Sequence, residues 1–497
     1  MPASLPPHPN LEHLKKQAKA LLRAFRRNDP EAVEAFGTLR LKGTPTLSDA
    51  QHLVARTYGF RTWSEMKAHV EAAAQISEEV LQQARQAFRE DDAPALRRLL
   101  AQYPALKASI QGPIEGLEGP LINSVRSPEM LDVLLDAGAD VNARSDWWAG
   151  GFGLLDGANP EVAARAIERG AVVTVHAAAR LGMLDKLKAL IAEDPERVHA
   201  RGGDGQTPLH FASTVEVADF LLKHGADIDA RDVDHASTPT QYMVRTRQDV
   251  ARYLIGRGCT TDLLMAAALG DEDLALKHLA ADPACIRMRV SDEHFPMVGG
   301  SNGGTIYQWE LGWYVSAPQV ARAFGHVDLF RLLMERCPAD EKLLNACWLH
   351  DETMVHALLV GNPDLARSLP PAGRRHVAHA ARNDDTAAAR LMLEADLPVA
   401  GVFSQHHATP LHWASWHGNV ELVRLLLRRH PPLEDTDNDY GSTPLGWALH
   451  GSEHGWHRDR GDYPATVEVL LDAGARPPEK PEGTDAVQAV LRRRSMQ

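Results

Sequence analysis

The chain has 497 residues, more than one ordinary hydrophobic core accommodates, so several domains or an extended repeat architecture is expected. Its net charge of −13 is uneven: residues 1–75 carry 11 Lys and Arg against 7 Asp and Glu, leaving 42 against 59 in the remainder. An acidic body repels phosphate backbones, which excludes nucleic acid as a partner of the region beyond residue 75.

Hydrophobic residues at 44% and charged residues at 24% are ordinary for a soluble folded protein. No uninterrupted apolar run approaches the roughly 20 residues that span a bilayer, and MPASLPPHPN lacks the basic start and apolar core of a signal peptide. Cys259, Cys285, Cys337 and Cys347 are scattered without a CxxC pair, which argues against zinc and against a disulfide framework. A monomer in a reducing cytoplasm, with no membrane partner, is the expectation. Arg outnumbers Lys 41 to 12, which hints at a GC-rich, bacterial gene.

In chain order, residues 10–36 form a helical pattern with Leu11, Leu14, Ala18, Leu21 or Leu22 and Phe25 on one face. Lys15, Lys16, Lys19, Arg23, Arg26 and Arg27 surround it. Residues 47–72 give a helix ending near Gly59, then Phe60 and Trp63 as apolar plugs before another helix. Residues 1–75 are therefore read as a small helical domain whose basic face is solvated. The alternative is a docking segment for nucleic acid, lipid or an acidic partner, as in a delivered effector or toxin-associated protein.

From residue 77 to 478 the chain alternates short Ala-rich and Leu-rich helices. TPLHFASTVEVADFLLKHGADIDA (207–230) and TPLHWASWHGNVELVRLLLRRHPPLED (409–435) align, and 442–478 repeats the pattern with its middle expanded. Pro208, Pro410 and Pro444, after Thr207, Thr409 and Thr443, suit a first helical turn, where a missing N–H would be unpaired anyway. Gly418 ends the first helix of its repeat, and Val420, Leu422, Val423, Leu425, Leu426 and Leu427 form the apolar stripe of the second. His210 and His412 are read as structural, their ring nitrogens bonding backbone between loops. Weaker copies at 178–195, 266–283, 346–363 and 380–396, and copies with a shortened first helix, bring the count to about eleven or twelve repeats. No unit can bury its own apolar face, so stability comes from stacking. Residues 484–497, with Val487, Val490 and Leu491 on one side, cap the stack.

This pattern resembles ankyrin repeats, whose units run T-P-L-H, two small residues, often G-H, a Leu-rich helix and G-A-D-x-N-A. The LKKQAK…YGFxxW arrangement of the first 75 residues resembles an N-terminal segment of bacterial multi-ankyrin proteins. The resemblance implies an all-α ankyrin-like solenoid with short β-hairpin fingers, divided into residues 77–290 and 316–478. It further implies non-enzymatic protein–protein binding, by a scaffold or regulator, through a concave face built from finger tips and the exposed positions of first helices. Carried onto this chain, those positions are Trp416 and His417, and Ala323 and Phe324 before Gly325-His326.

Between the two halves lies GGSNGGTIYQWELGWYVSA (299–317). A phosphate loop runs from a strand through glycines into a helix, whereas these glycines lead into an alternating segment. Residues 291–315 are read as an enlarged β-hairpin finger, with a tight turn at Ser301-Asn302 and a returning strand over His294 to Val298. Tyr307, Trp309, Leu311 and Trp313 then share one strand face, packed on the stack or offered to the unknown protein partner. GGTIYxW stretches of this kind recur as an insertion in bacterial multi-ankyrin proteins.

Candidate chemistry is sparse. His450, His454 and His457 stand near Asp459 and Asp462, but their spacing fits no recognised metal motif and a loop would not fix their geometry, so no metal is assigned. His376 and His379 share a helix face without the Glu of a zincin motif. GxSxG and GxxxxGK[ST] are absent, and no cysteine has an activating context. The chain is expected to be no enzyme and to need no cofactor.

Overall fold

The computed structural model describes residues 11–27, 29–37, 39, 44–73, 78–104, 106–107, 120–300, 303–478, 480 and 482–495. The chain divides into two compact units. Unit 1 comprises residues 1–243, 249–259 and 298–303, and unit 2 residues 244–248, 260–297 and 304–497. Among the described residues every regular element is helical, and extended pairing is confined to two isolated bridges, Arg144 with Gly153 and Arg289 with Ser316. No helix of the described residues is long and apolar enough to cross a membrane.

In unit 1, helices Leu11–Arg26, Pro30–Gly37, Leu47–Thr57 and Trp63–Ala73 enclose a small core of Leu14, Ala18, Leu22, Phe36, Leu53, Val54 and Met66. Phe60 and Trp63 pack against it, while Lys16, Lys19, Arg23, Arg26 and Arg27 lie at exposed positions. The repeats follow. Where the sequence is short of residues for a first helix, one 3₁₀ turn stands in its place: Leu121–Ser124, Leu154–Asp156 and Pro208–Phe211. Their second helices, Pro128–Asp136, Pro160–Glu168 and Val215–Lys223, start where Ser127, Asn159 and Thr214 each accept the backbone N–H three residues on. Leu134, Val162 and Leu221, at the helical spacing of the apolar stripe, are buried.

Unit 2 stacks fuller pairs. Among them are Leu263–Leu269 with Glu272–Ala281, Ala317–Ala323 with Val327–Arg336, Ala339–Trp348 with Glu352–Gly361, His376–Arg382 with Thr386–Glu394, and Pro410–Trp416 with Val420–Leu427. Pro444–His454 with Tyr463–Asp472 completes the series, and Asp485–Ser495 closes it with Val487, Val490 and Leu491 buried. The TPLH start has a local chemistry. The Thr409 N–H donates to His412 Nδ1 at 3.3 Å, so the ring proton sits on Nε2, which donates to the carbonyls of Asp435 (3.1 Å) and Ser442 (3.0 Å). His210 lies likewise between Thr207 (3.1 Å from the Thr207 N–H) and the Ser237 carbonyl (3.2 Å). Thr443 caps its helix by accepting the Gly446 N–H at 3.1 Å.

The segment 291–315 departs from the hairpin expectation. Residues Tyr307–Glu310 form a helical turn, held by Glu310 N–H to Ile306 O (3.0 Å) and Leu311 N–H to Tyr307 O (2.8 Å), and not a strand. A spacing of two suits a strand face only if the backbone is extended. In a helical turn, residues four apart share a side, so Trp309 faces away from Tyr307 and Leu311. Burial drives this choice: Tyr307 is enclosed and its hydroxyl donates to Asp262 at 3.0 Å, a carboxylate buried at the N-cap of Leu263–Leu269. The returning strand over His294 to Val298 is absent, and pairing survives only at the base, where Val290 bonds to both Tyr314 and Val315 (Tyr314 N–H to Val290 O, 2.8 Å; Val290 N–H to Val315 O, 3.1 Å). The proposed turn at Ser301-Asn302 lies outside the described residues.

Candidate interaction surface

The first helices of three successive repeats in unit 2 present an unusual density of rings. The guanidinium of Arg382, at the end of His376–Arg382, lies 4.5 Å from the ring centroid of Trp313, 5.2 Å from Trp456 and 5.8 Å from Trp413. Its Nε donates to Gln405 Oε1 at 3.1 Å. Burial pushes Arg382 down to about 10, against the attraction of the Asp292 carboxylate, so it stays a cation at neutral pH. Beside it Trp456 is 56% exposed, whereas Trp413 is buried with Trp447 edge-on at 5.2 Å, and Tyr440, 63% exposed, meets the Trp447 ring at 5.6 Å. Large half-open aromatic surface beside a stacked arginine is the composition that interface cores favour.

The residues proposed from sequence fare unequally. Trp309 is 71% exposed, Phe324 is half-buried under the Arg245 guanidinium (5.2 Å), and Trp416 is half-buried against Trp447. Tyr307, Trp313 and His417 are buried, so their side chains pack inside unit 2 and the proposal that they contact a partner is corrected: each has an interior occupant for its ring. Trp313 lies under Arg382, and Tyr307 meets Phe295 edge-on at 5.3 Å. His417 is held by a hydrogen bond to the Arg382 carbonyl at 2.9 Å. Tyr440, Trp456 and Arg382 are not among the sequence candidates; for Trp456 the available signal was the GWH inside the expanded last repeat.

The histidines sort differently from their order in sequence. The His450 and His454 rings lie tilted against one another (centroids 4.5 Å apart, 43° between planes), while His457 stands edge-on to His417 at 4.8 Å. His376 and His379 are buried. The indole N–H of Trp348 donates to His376 Nδ1 at 2.9 Å, and Tyr314 stacks on His379 with centroids 3.4 Å apart. Among the described residues, three groups bring three possible metal-ligating atoms within 4.8 Å of one another: Asp384–His417–His457, Asp204–Asp234–His235 and the exposed Glu352–His356–Glu394.

Burial holds both His376 and His379 well below the usual histidine range, with Arg289 adding repulsion, and pushes His417 down to about 4. A histidine kept neutral when folded takes up fewer protons than when unfolded. Its contribution is therefore complete above about pH 6.5 and is lost as the pH falls below it. Burial raises the carboxyl of Asp262 and partial burial that of Glu310, and both act in the opposite sense. The comparison that isolates the ring is His376→Gln against wild type. The stability gap seen in urea melts at pH 7.5 is expected to narrow below pH 6.5 by up to about 1.4 kcal/mol per pH unit. A gap that is constant with pH would show that the ring titrates normally.

The family model of ankyrin repeats matches residues 175–265, 343–433 and 378–480, three copies that together span somewhat less than half of the chain. The chain thus carries ankyrin repeats. Its similarity to curated proteins is local. Serine/threonine-protein kinase VIK of Arabidopsis thaliana is 47% identical over 49 residues, 9% of this chain and 11% of the relative. Ankyrin repeat and SAM domain-containing protein 6 of Mus musculus is 29% identical over 110 residues, 21% of this chain and 12% of the relative. The chain matches only about a tenth of either protein's length.

Proposed function

We propose that this protein is a non-catalytic scaffold or regulator of a bacterial cytoplasm. It seats a partner protein on the unit 2 surface around Arg382, Tyr440 and Trp456, with Trp309 and Trp416 as further contacts. The observation that carries the reading is Arg382 held among Trp313, Trp413 and Trp456 while Trp456 and Tyr440 remain open. Rings fixed in place by a packed layer beneath them lose little conformational freedom on binding, which is what makes aromatic and arginine residues effective anchors. The cysteines agree: none of the four is in a disulfide, and burial pushes the Cys285, Cys337 and Cys347 thiols up, away from the reactive thiolate. Ankyrin repeats are generally protein-binding modules, and a match to a kinase over 9% of this chain does not establish a kinase activity.

The test is site-specific photo-crosslinking from position 456 in cells of the native organism, with position 360 (Val360, exposed on a second helix) as control. The partner so identified is then titrated with purified protein. Trp456→Ala is expected to weaken binding by roughly 30-fold, about 2 kcal/mol, with Val360→Ala unchanged. Affinity within twofold of wild type in Trp456→Ala would remove this surface from the interface.

A further inference from the structure

Asp384, His417 and His457 reach one place in unit 2 from three segments. Asp384 follows helix His376–Arg382, His417 ends helix Pro410–Trp416, and His457 lies in the loop after Pro444–His454. That loop is tied back onto the preceding repeat by the Asp462 N–H to the Gly418 carbonyl (2.9 Å) and the Tyr463 hydroxyl to the Trp416 carbonyl (2.9 Å). Gly418 is at φ +64°, and a Cβ there would come within 3.0 Å of Gly461 Cα, so two glycines permit the close approach.

The decisive group is His417. It is 2% exposed, and its Nε2 lies 2.9 Å from the Arg382 carbonyl, which can only accept. The ring proton therefore sits on Nε2, and Nδ1 is a bare lone pair. That Nδ1 is buried without a hydrogen-bond partner, an arrangement proteins generally avoid unless something else satisfies the group. An imidazole donating one N–H to a backbone carbonyl while its other nitrogen waits unpaired has the form of a metal-ligating histidine with its orienting partner. The neighbours complete the set. His457 stands edge-on to His417, with 80° between the rings, and the Asp384 carboxylate is oriented by the Asn419 side-chain amide at 2.7 Å. Asn419 is itself pinned, donating to Thr386 Oγ1 (2.8 Å) and accepting the Leu422 N–H (2.9 Å).

We propose that Asp384, His417 and His457 form a binding site for a divalent transition-metal ion, zinc being the best match. Two imidazoles and one carboxylate suit a borderline cation and exclude magnesium or calcium, which take oxygen ligands. Three protein ligands leave a fourth position of a tetrahedral ion for water or a partner's side chain. Ligands of such an ion stand about 3.3 Å apart, inside the present upper limit of 4.8 Å, so His457 on its Gly-flanked loop closes the remaining gap. Two cations oppose the ion. The exposed Arg460 guanidinium donates to His457 Nδ1, and Arg382 lies close enough to disfavour positive charge on His417. Bound metal would staple the expanded loop, and Trp456 within it, to the repeat before.

The test uses the purified full chain, stripped with chelator, and zinc(II) and cobalt(II) as probes. Calorimetry with zinc is expected to give one equivalent, and cobalt the visible absorption of a tetrahedral nitrogen–oxygen site. His457→Ala and, independently, Asp384→Asn are expected to weaken binding at least about tenfold, while His454→Ala and His356→Ala leave it intact and Arg460→Ala tightens it. Circular dichroism confirms that each variant folds; His457 and Asp384 are partly exposed, so both substitutions spare the core. Absence of stoichiometric binding in the wild type, or equal binding in wild type, His457→Ala and Asp384→Asn, overturns the proposal. Partner binding by Trp456 is read in a separate experiment and stands or falls without it.

Discussion

Glu341→Ala is expected to destabilise unit 2 by about 3–5 kcal/mol, far more than removal of a surface carboxylate. Arg289 is 2% exposed and Glu341 5%, and Arg289 Nη2 meets Glu341 Oε2 at 3.0 Å. Glu341 Oε1 also accepts from Arg287 Nη1 at 3.1 Å. Arg289 Nη1 donates to Gln319 Oε1 (3.2 Å), the same oxygen that receives the N–H and hydroxyl of Ser316 at 3.0 Å each. One carboxylate thus balances a buried arginine that joins the base of the 291–315 segment to the helix cap at Ser316. Taking the carboxylate away leaves Arg289 charged, buried and unbalanced. The double variant Arg289→Met/Glu341→Leu removes both charges and is expected to recover most of the loss, because desolvating the pair offsets most of its attraction. Urea melts of all three proteins, with hydrogen exchange over residues 314–348, check this. A cost below about 1 kcal/mol for Glu341→Ala would mean that water already screens the pair.

That ion pair was not legible in the sequence, and the reason is general to this chain. Periodicity reports which residues are buried on one helix, so the Leu-rich stripes, the TPLH starts and the closing helix with Val487, Val490 and Leu491 could all be read from spacing. Shortened first helices could be read too, although a single 3₁₀ turn is what remains of them. Contacts set by distant residues could not. Tyr307, Trp309, Leu311 and Trp313 alternate, and over so few residues alternation does not separate a strand from a helical turn. The decision falls to Asp262, 45 residues earlier, whose buried carboxylate takes the Tyr307 hydroxyl. Likewise His450, His454 and His457 look like one cluster in sequence. The fold sends His457 to His417 because two glycines, at 418 and 461, let the expanded loop fold back. The exposed rings were partly legible: Trp309 stands among the sequence candidates and is exposed, but Trp456 and Tyr440 lie in irregular segments where no period marks a face.

Trp413→Ala is expected to cost about 3–5 kcal/mol, whereas Trp456→Ala, one layer outward, is expected to change stability by no more than about 0.5 kcal/mol. The two rings are 5.6 Å apart, so the contrast depends on burial and not on location. Trp413 is enclosed, edge-on to Trp447, with its indole N–H donating to Ser404 Oγ at 2.7 Å. Truncation leaves a ring-sized void in a layer that repeats on both sides contribute to, and those backbones can collapse only partly. Trp413→Phe keeps a ring and gives up the hydrogen bond, so an intermediate loss of about 1–2 kcal/mol is expected. Thermal and urea melts separate the three variants. If Trp413→Ala costs as little as Trp456→Ala, the aromatic layer is loosely packed. Arg382 and Trp456 would then not be held in place before a partner arrives, and ordering them would count against binding. If the contrast holds, the buried ring acts on recognition only through stability, and loss of binding in Trp456→Ala at unchanged melting belongs to the surface itself.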